Sequence, residues 1–254
     1  MTKTIFLPKT TRVEKLSQIY LAQIEELKKI FDKKTSVYID FANIFHWFER
    51  LGWHIDVKRL KQLLDSFSNI DSVKFYNGSL KSDPKSEEIN NAASRHKYDL
   101  RTKPVKIMYL PIDVSGIPLN SPDVLKKFIE KSLLKHFDLG TIEFLNKKLA
   151  ELNQKGINHI KKHKCNFDVE IGRDMMRDYD KNQVENFILW SGDSDFADPV
   201  EQLLNDGKKV IIFATARRVA PELSDTKAQI FEINKIRDFI CWPKEISKQI
   251  KSKI

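Results

Sequence analysis

Short apolar runs rich in β-branched and aromatic residues alternate with amphipathic helical patterns along this chain of 254 residues. The predicted strands cover residues 37–40, 72–76, 105–110, 187–190, 209–213 and about 230–233. Helices are predicted between them, at residues 57–67, 84–101, 168–179 and 196–205. Because this alternation is typical of a parallel sheet whose faces are covered by helices, the predicted fold class is α/β.

Two segments fall outside the alternation. Residues 11–31 form an uninterrupted amphipathic helical pattern, with apolar side chains at spacings of three and four. Residues 113–163 begin with a loop rich in turn residues and continue as two predicted helices, Pro122–Phe137 and about Thr141–Leu152. We therefore expect an N-terminal helix, a main domain, a helical insertion within it and a basic C-terminal tail, with bounds 1–34, 35–240, about 113–163 and 241–254. Either the N-terminal helix or the insertion could pair with a second copy and form a homodimer.

The composition restricts the classes of protein to which this chain can belong. Its 41% of hydrophobic residues suffice for a core, and its longest apolar run, Val210–Ala214, is too short to span a bilayer. Two cysteines without a CxxC pair indicate a reducing compartment, so we predict a cytoplasmic protein without a membrane partner. Lys and Arg outnumber Asp and Glu by 44 to 35, an excess that favours a polyanionic partner.

Four aspartates stand where the predicted topology gathers functional groups. Asp40 ends the first strand, Asp193 and Asp195 follow the strand 187–190, and Asp168 opens the helix before that strand. Functional groups in open α/β sheets gather at the carboxyl ends of parallel strands, so these side chains converge if the two strands are neighbours. Close carboxylates repel one another unless a cation is present, and hard divalent cations prefer oxygen ligands. The pattern predicts a Mg²⁺ or Mn²⁺ site; the alternative is a simple turn in which Asp195 caps the following helix.

Polar residues beside these aspartates could assist such a site. Asn43 could donate a hydrogen bond to a phosphate oxygen or bond a metal-bound water. Ser191 and Ser194 offer hydroxyl groups, and Gly192 between them permits a tight turn.

Several of these residues belong to motifs of a known family. Ile39–Asn43 (IDFAN) resembles the IDxxN opening of NYN-type domains, which belong to the PIN-like nuclease superfamily and include LabA-like proteins. Lys164–Val169 (KCNFDV) is similar to the family's KGVDV element, and Asp174 matches an acidic position six residues after the aspartate of that element. Leu189–Phe196 (LWSGDSDF) resembles LxSGDSDF, and Gly207–Val210 resembles GKKV. These motifs occur in the family's order.

The resemblance implies a PIN-like Rossmannoid sheet and a metal-dependent endoribonuclease that acts on RNA, with Mg or Mn as cofactor. Transferred position by position, the metal ligands are Asp40, Asp168, Asp193 and Asp195. Asn43 and Ser191 would complete the catalytic set, and Asp174 and Ser194 are candidates for supporting it.

Five further residues are candidates for binding single-stranded RNA. His46 and Trp47 belong to an aromatic cluster early in the main domain and could stack on unpaired bases, although core packing is the alternative for such residues. Arg217 and Arg218 follow a predicted strand and could contact phosphates or form a solvated turn. Lys164 closes a basic stretch that could guide RNA.

Two other functions stay open at this point. The chain could be a binding module that keeps the fold and binds RNA or a protein, with weak or absent catalysis. It could also be a phosphatase or a nucleotide-processing enzyme that uses the same metals on small phosphate esters.

Overall fold

The computed structural model of the chain describes residues 4–80, 83–215 and 218–254. The helices are α1 (Thr11–Ile19), α2 (Leu21–Ile30), α3 (Phe41–Phe45), α4 (Phe48–Leu51), α5 (Val57–Leu64), α6 (Pro84–Arg95), α7 (Lys131–Leu134), α8 (Leu139–Gln154), α9 (Asp168–Asn182), α10 (Ala197–Asn205), α11 (Pro221–Asp225), α12 (Arg237–Ile240) and α13 (Lys248–Lys251). The strands are β1 (Thr35–Asp40), β2 (Ile70–Ser79), β3 (Asp99–Pro104), β4 (Lys106–Pro111), β5 (His159–Lys164), β6 (Asn186–Trp190), β7 (Lys209–Ala214) and β8 (Gln229–Glu232). None of the described helices is long and apolar enough to cross a membrane.

The chain forms two compact units, one made of the residues before Val105 and after Cys165 and the other of Val105–Cys165. The first unit is built on a six-stranded sheet of order β3-β2-β1-β6-β7-β8, in which all neighbouring strands run parallel. Every residue of the two central strands, β1 and β6, is buried. Fully buried strands are typical of a parallel sheet covered on both faces, so the predicted α/β class is confirmed.

α9 contacts the sheet through buried polar side chains as well as apolar ones. The Asp178 carboxylate accepts hydrogen bonds from the Tyr38 hydroxyl of β1 and from the Lys74 ammonium of β2, the latter at 2.6 Å. All three side chains are buried. Burial acts to raise the pKa of the Asp178 carboxyl, but the bonds from Lys74 and Tyr38 outweigh it and leave that pKa below its usual value. Asp178 is therefore ionised, and its ion pair with Lys74 fixes α9 on the sheet.

In chain order, the third strand of the parallel sheet is β3, which pairs with β2 at the edge of the sheet. The prediction that Val105–Leu110 forms this third strand is wrong. The predicted helix 84–101 ends earlier, at Arg95, and Lys97 then adopts a left-handed φ of 60° that a helix does not continue. Pro104 has no N–H to donate, and the chain leaves the parallel sheet there. The strand that follows, β4, pairs antiparallel with β5 in the second unit.

The N-terminal amphipathic segment forms two helices rather than the one predicted. α1 and α2 meet at Tyr20, whose φ of −112° and ψ of 50° lie outside the helical region. The apolar residues Val13, Leu16, Ile24 and Leu27 are all buried in the chain. The apolar face of this segment therefore packs within the chain. The predicted homodimer, through the N-terminal helix or the insertion, stays a prediction.

The second unit has a small hydrophobic core of its own. Its buried members are Ile112, Val114, Val124, Leu125, Leu134, Ile142 and Leu149. The predicted helix Pro122–Phe137 is wrong: the segment forms a 3-10 turn, Leu125–Lys127, and the single-turn α7. Val124 and Leu125 are adjacent and both buried, so the backbone folds around the core and does not present one helical stripe to it. The predicted insertion, about 113–163, lies within this unit, which also contains β4 and β5.

The segment predicted as a basic tail, 241–254, begins within the fold of the first unit. Cys241 is buried and forms an isolated β-bridge with Ile55. The Trp242 indole stacks on the His54 imidazole, with ring centres 3.9 Å apart. At least the first residues of this segment are thus part of the packed structure.

Asp178→Ala is expected to lower the free energy of unfolding by about 3–5 kcal/mol, because Lys74 would keep a buried charge without its partner. Urea denaturation measures this change. Glu151→Ala, which removes the exposed partner of Lys148, is the matched control and should cost less than about 1 kcal/mol. The double variant Lys74→Met/Asp178→Leu removes both buried charges and should recover most of the loss. Equal stability of Asp178→Ala and the wild-type protein would contradict the assigned role of this pair.

Candidate metal centre

β1 and β6 are adjacent parallel strands, so their carboxyl ends lie side by side. Ile39 and Trp190 are Cα partners, and Asp40 and Ser191 are the next residues on each chain segment. The Ser191 hydroxyl donates a hydrogen bond to Asp40 Oδ2 at 3.4 Å. The register of two hydrophobic strands therefore brings together polar residues that are distant in the sequence.

Three further carboxylates form a cluster near Asp40. Asp168 is the first residue of α9, and Asp193 and Asp195 lie in the turn after β6, with Ser194 between them. One carboxylate oxygen from each of these three aspartates lies within 4.8 Å of the other two. Asp193 Oδ1 accepts a hydrogen bond from the backbone N–H of Asp195 at 3.2 Å, which fixes the turn that carries both.

Asp40 is the most buried of the four site aspartates, at 4% exposure. Burial raises the pKa of its carboxyl to about 7, and the charges of Asp168 and Asp193 add to the rise, against a hydrogen bond from the Asn43 backbone N–H. Burial also raises the pKa of Asp168, with contributions from Asp193 and Asp195. Without a cation, the cluster therefore retains a proton up to near-neutral pH.

This donor set is suited to a hard divalent cation. All four side chains offer carboxylate oxygens, and a cation among them would displace the proton and offset their mutual repulsion. Asp168 and Asp193 are partly exposed and Asp195 is exposed, so an ion can reach them from solvent. Asp168, Asp193 and Asp195 thus fit a divalent cation, and Asp40 adjoins them.

Asn43 and Gly192 connect the two sides of the site. The Asn43 side-chain oxygen accepts a hydrogen bond from the Gly192 N–H at 3.3 Å, and the Asn43 N–H donates to Asp40 Oδ1 at 3.2 Å. The Gly192 carbonyl accepts a hydrogen bond from the Ala220 N–H at 2.9 Å. The loop after β7 approaches so closely that a Cβ at Gly192 would lie 1.8 Å from the Arg218 carbonyl oxygen. A side chain at this position would therefore displace the turn or the loop.

Asp174 is buried on α9 and makes contacts different from those of Asp168. The Tyr76 hydroxyl donates to Asp174 Oδ2 at 2.9 Å, and Arg101 Nε lies 3.8 Å from the same oxygen. Tyr76 is the Cα partner of Asp40 on the neighbouring strand. Asp174 thus attaches α9 to β2, the strand beside the one that carries Asp40.

The residues predicted to bind RNA have different surroundings. His46 is exposed, but Trp47 is only 3% exposed, and the prediction that Trp47 stacks on a base is wrong because its ring is packed in the core. Arg218 is half-buried, and its Nη2 donates to the His46 carbonyl oxygen at 3.5 Å. Arg217 lies outside the described residues. Lys164 is exposed on β5 in the second unit.

Two residues of interest were not predicted. Lys103, near the end of β3, forms a 2.6 Å ion pair with Glu170, and its charge acts to lower the pKa of Asp168. Its strand is polar, so no hydrophobic run marks it in the sequence. Phe45 is 47% exposed, so this aromatic side chain is accessible to solvent, whereas Trp47 is buried.

Comparisons with known proteins show a family and a fold to which this chain is similar. Residues 125–234 match the NYN domain family, a span that takes in Asp168, Asp193 and Asp195. The chain is 23% identical over 208 residues to the low amplitude and bright protein LabA of Synechococcus elongatus, an alignment that covers 82% of this chain and 87% of that protein. The crystal structure of a protein of unknown function from Vibrio parahaemolyticus is 18% identical and covers 82% of this chain and 96% of that one, with a TM-score of 0.50. This last likeness concerns the fold alone.

Gly192→Ala is expected to destabilise the protein by about 1–3 kcal/mol, because the new Cβ would overlap the Arg218 carbonyl oxygen. It should also weaken Mn²⁺ binding, since the same turn carries Asp193. The matched control is Gly172→Ala on α9, where the nearest atom to a new Cβ is Pro199 Cγ at 4.0 Å. That variant should be as stable as wild type or more stable by about 0.5–1 kcal/mol. Urea denaturation and calorimetric Mn²⁺ titration test both, and equal behaviour of the two variants would contradict the steric argument.

The raised pKa of Asp40 predicts that the metal-free protein loses stability as pH rises. Between the usual pKa of 3.8 and the folded-state pKa of about 7, the folded protein holds a proton that the unfolded chain has released. The free energy of unfolding therefore falls across this interval, by at most roughly 4 kcal/mol from this group.

In the Asp40→Asn variant the asparagine side chain cannot ionise. The free energy of unfolding of this variant should therefore lack the part of the pH dependence that Asp40 contributes. Urea denaturation in EDTA from pH 4 to pH 8, on wild type and variant, measures the difference between the two curves. Parallel curves would show that Asp40 is not the group responsible.

Proposed function

We propose that this chain, which carries an NYN domain of the LabA-like kind, is a divalent-metal-dependent endoribonuclease that hydrolyses RNA phosphodiester bonds. NYN domains indicate a PIN-like nuclease family. The observation that carries the proposal is the cluster of Asp168, Asp193 and Asp195, with oxygens within 4.8 Å of one another. Beside it stands Asp40, a carboxyl whose pKa is raised to about 7 by its burial and by two of these charges.

In the proposed mechanism the four site aspartates would hold Mg²⁺ or Mn²⁺ through their carboxylate oxygens. Such an ion, when bound, would supply a water of lowered pKa and neutralise charge on the phosphate. Ser191 holds Asp40 by its hydroxyl, and Asn43 holds the Gly192 turn by its side-chain oxygen. These bonds keep the carboxylates in place before any ligand arrives, which reduces the reorganisation that catalysis requires.

The proposed substrate is single-stranded RNA, whose flexible backbone can enter a site with exposed Asp195 at its rim. His46 and Arg218 are proposed to contact this backbone, and Phe45 to offer an exposed ring for stacking. Lys164 and Arg217 keep their predicted part in RNA binding as proposals.

Cleavage of labelled single-stranded RNA in Mn²⁺, with and without EDTA, tests the proposed function. Wild type should give internal cleavage products that EDTA abolishes. Asp193→Asn and Asp40→Asn should each lower the rate by at least about a hundredfold, the upper end of what loss of a mere supporting residue costs at a metal site. Asp180→Asn, which changes an exposed aspartate on α9, is the matched control and should cleave like wild type.

The outcomes separate the alternatives. RNA binding without EDTA-sensitive products would favour a binding module. Cleavage of a small phosphate ester such as p-nitrophenyl phosphate, with RNA left intact, would favour a phosphatase. Metal-dependent RNA cleavage that survives both site substitutions would exclude the proposed site.

A further inference from the structure

The β4–β5 ribbon, defined as residues 106–111 and 159–164, is a two-stranded antiparallel sheet that is open to solvent on both faces. Eleven of its twelve residues are exposed and the other is partly exposed. Ile107, Tyr109 and Ile160 are 41%, 57% and 43% exposed, which leaves sizeable apolar area in water. An isolated two-stranded ribbon is at best marginally stable, so a binding partner would add to its stability.

The charge of the second unit is concentrated on this ribbon. The unit contains eleven lysines and six acidic residues, an excess of five positive charges. Four of these lysines and none of the acidic residues lie on the ribbon, so it carries four of the five excess charges. The partner that such a surface favours is an anion with several charges in a row.

Three of the four lysines project from the same face. Lys106 and Lys164 are cross-strand partners, and Lys162 lies two residues before Lys164 on β5. Side chains alternate between the faces of a strand, so Lys106, Lys162 and Lys164 form one lysine face and Lys161 projects from the other. On that other face the Lys161 ammonium lies 6.0 Å from the centre of the Tyr109 ring.

The lysine face contains repulsion that the described residues do not relieve. Like charges directly opposite each other destabilise an antiparallel pair, and Lys106 and Lys164 are in that position. The ion pairs described in the second unit are Lys126–Asp123 and Lys148–Glu151, and neither includes a lysine of this face. A second copy would bring the same charges face to face, so self-pairing here is disfavoured, whereas a phosphate between Lys106 and Lys164 would attract both.

We propose that the lysine face binds the phosphate backbone of single-stranded RNA, as a docking surface additional to the site aspartates. This inference rests on the proposed function for the identity of the anion, since the proposed endoribonuclease would bind RNA as its substrate. The lysines act as point charges on the backbone, so the surface binds without reading the sequence.

Fluorescence anisotropy of a labelled 20-nucleotide RNA, titrated with the full chain in EDTA at several KCl concentrations, tests the proposal independently of cleavage. The variant Lys106→Gln/Lys162→Gln/Lys164→Gln should bind about tenfold more weakly, and its plot of log affinity against log salt should be shallower by about 2, because each contact with a single strand contributes about 0.7. The matched control, Lys131→Gln/Lys135→Gln/Lys147→Gln, removes three exposed lysines of the same unit and should keep the wild-type slope. The variant Lys161→Gln, which changes the lysine on the other face of the ribbon, should also keep the wild-type slope.

Thermal denaturation excludes misfolding as the cause of weaker binding. The lysine-face variant should melt at the wild-type temperature or above it, since it loses the repulsion between Lys106 and Lys164. Equal losses of affinity in both triple variants, or none in either, would overturn the proposal. Ribbon-dependent binding to phosphatidylcholine–phosphatidylserine vesicles without RNA binding would assign the surface to a lipid instead.

The two proposals fail separately in these assays. Cleavage that is EDTA-sensitive, together with unchanged RNA binding by the lysine-face variant, would remove the docking surface and leave the nuclease. Salt-dependent loss of binding in that variant, together with no cleavage by wild type, would leave an RNA-binding module with this docking surface.

Discussion

The parallel pairing of β1 with β6 is the constraint on which the candidate site depends. Both strands are buried throughout, and Ile39 is held opposite Trp190. A slip of one residue would turn each side chain of a strand to the opposite face, so burial on both sides fixes this register strongly. Asp40 and Ser191 follow directly from it, and the turn that carries Asp193 begins one residue later. The position of the carboxylates is thus decided by hydrophobic packing, even though the carboxylates repel one another.

α9 supplies the remaining ligand candidate, and buried polar contacts determine where that helix lies. Asp174 accepts a hydrogen bond from Tyr76, and Asp178 accepts bonds from Tyr38 and Lys74. Tyr38 and Asp40 are two residues apart on β1 and so project from the same face of the sheet. A purely apolar contact would allow α9 to shift slightly along its axis. The hydrogen bonds of Asp174 and Asp178, on two successive turns of α9, prevent such a shift. Their effect at the site is to hold the first residue of the helix, Asp168, beside the carboxyl ends of the strands.

The sequence sufficed for the α/β class because the two central strands and their neighbour β7 are compact apolar runs. The polar strand β3 gives no such run, and Pro104 is its last residue. The apolar segment after Pro104 is therefore the one that the sequence predicts for the parallel sheet, whereas it pairs with β5 in the second unit. Trp47 and Phe45 illustrate a second difficulty. Both lie in one aromatic cluster, and only the tertiary packing decides that the first is buried and the second exposed. The lysine face is a third feature that the sequence does not predict. Which basic residues share a face becomes clear only when the pairing of β4 with β5 is known.

The electrostatics of the site connect cation binding to folding. The protein holds Asp40 in surroundings that favour its protonated form, and the cost of ionising it there is set by burial and by Asp168 and Asp193. A divalent ion must displace that proton, so its affinity rises with pH, and any ion that binds only the folded chain stabilises the fold by mass action. The same ion would remove the repulsion that the acidic cluster presents to an RNA phosphate. In the proposed function, cation binding, stability and access of a polyanion therefore all depend on one arrangement: carboxylates brought together by the register of β1 and β6 and by the position of α9.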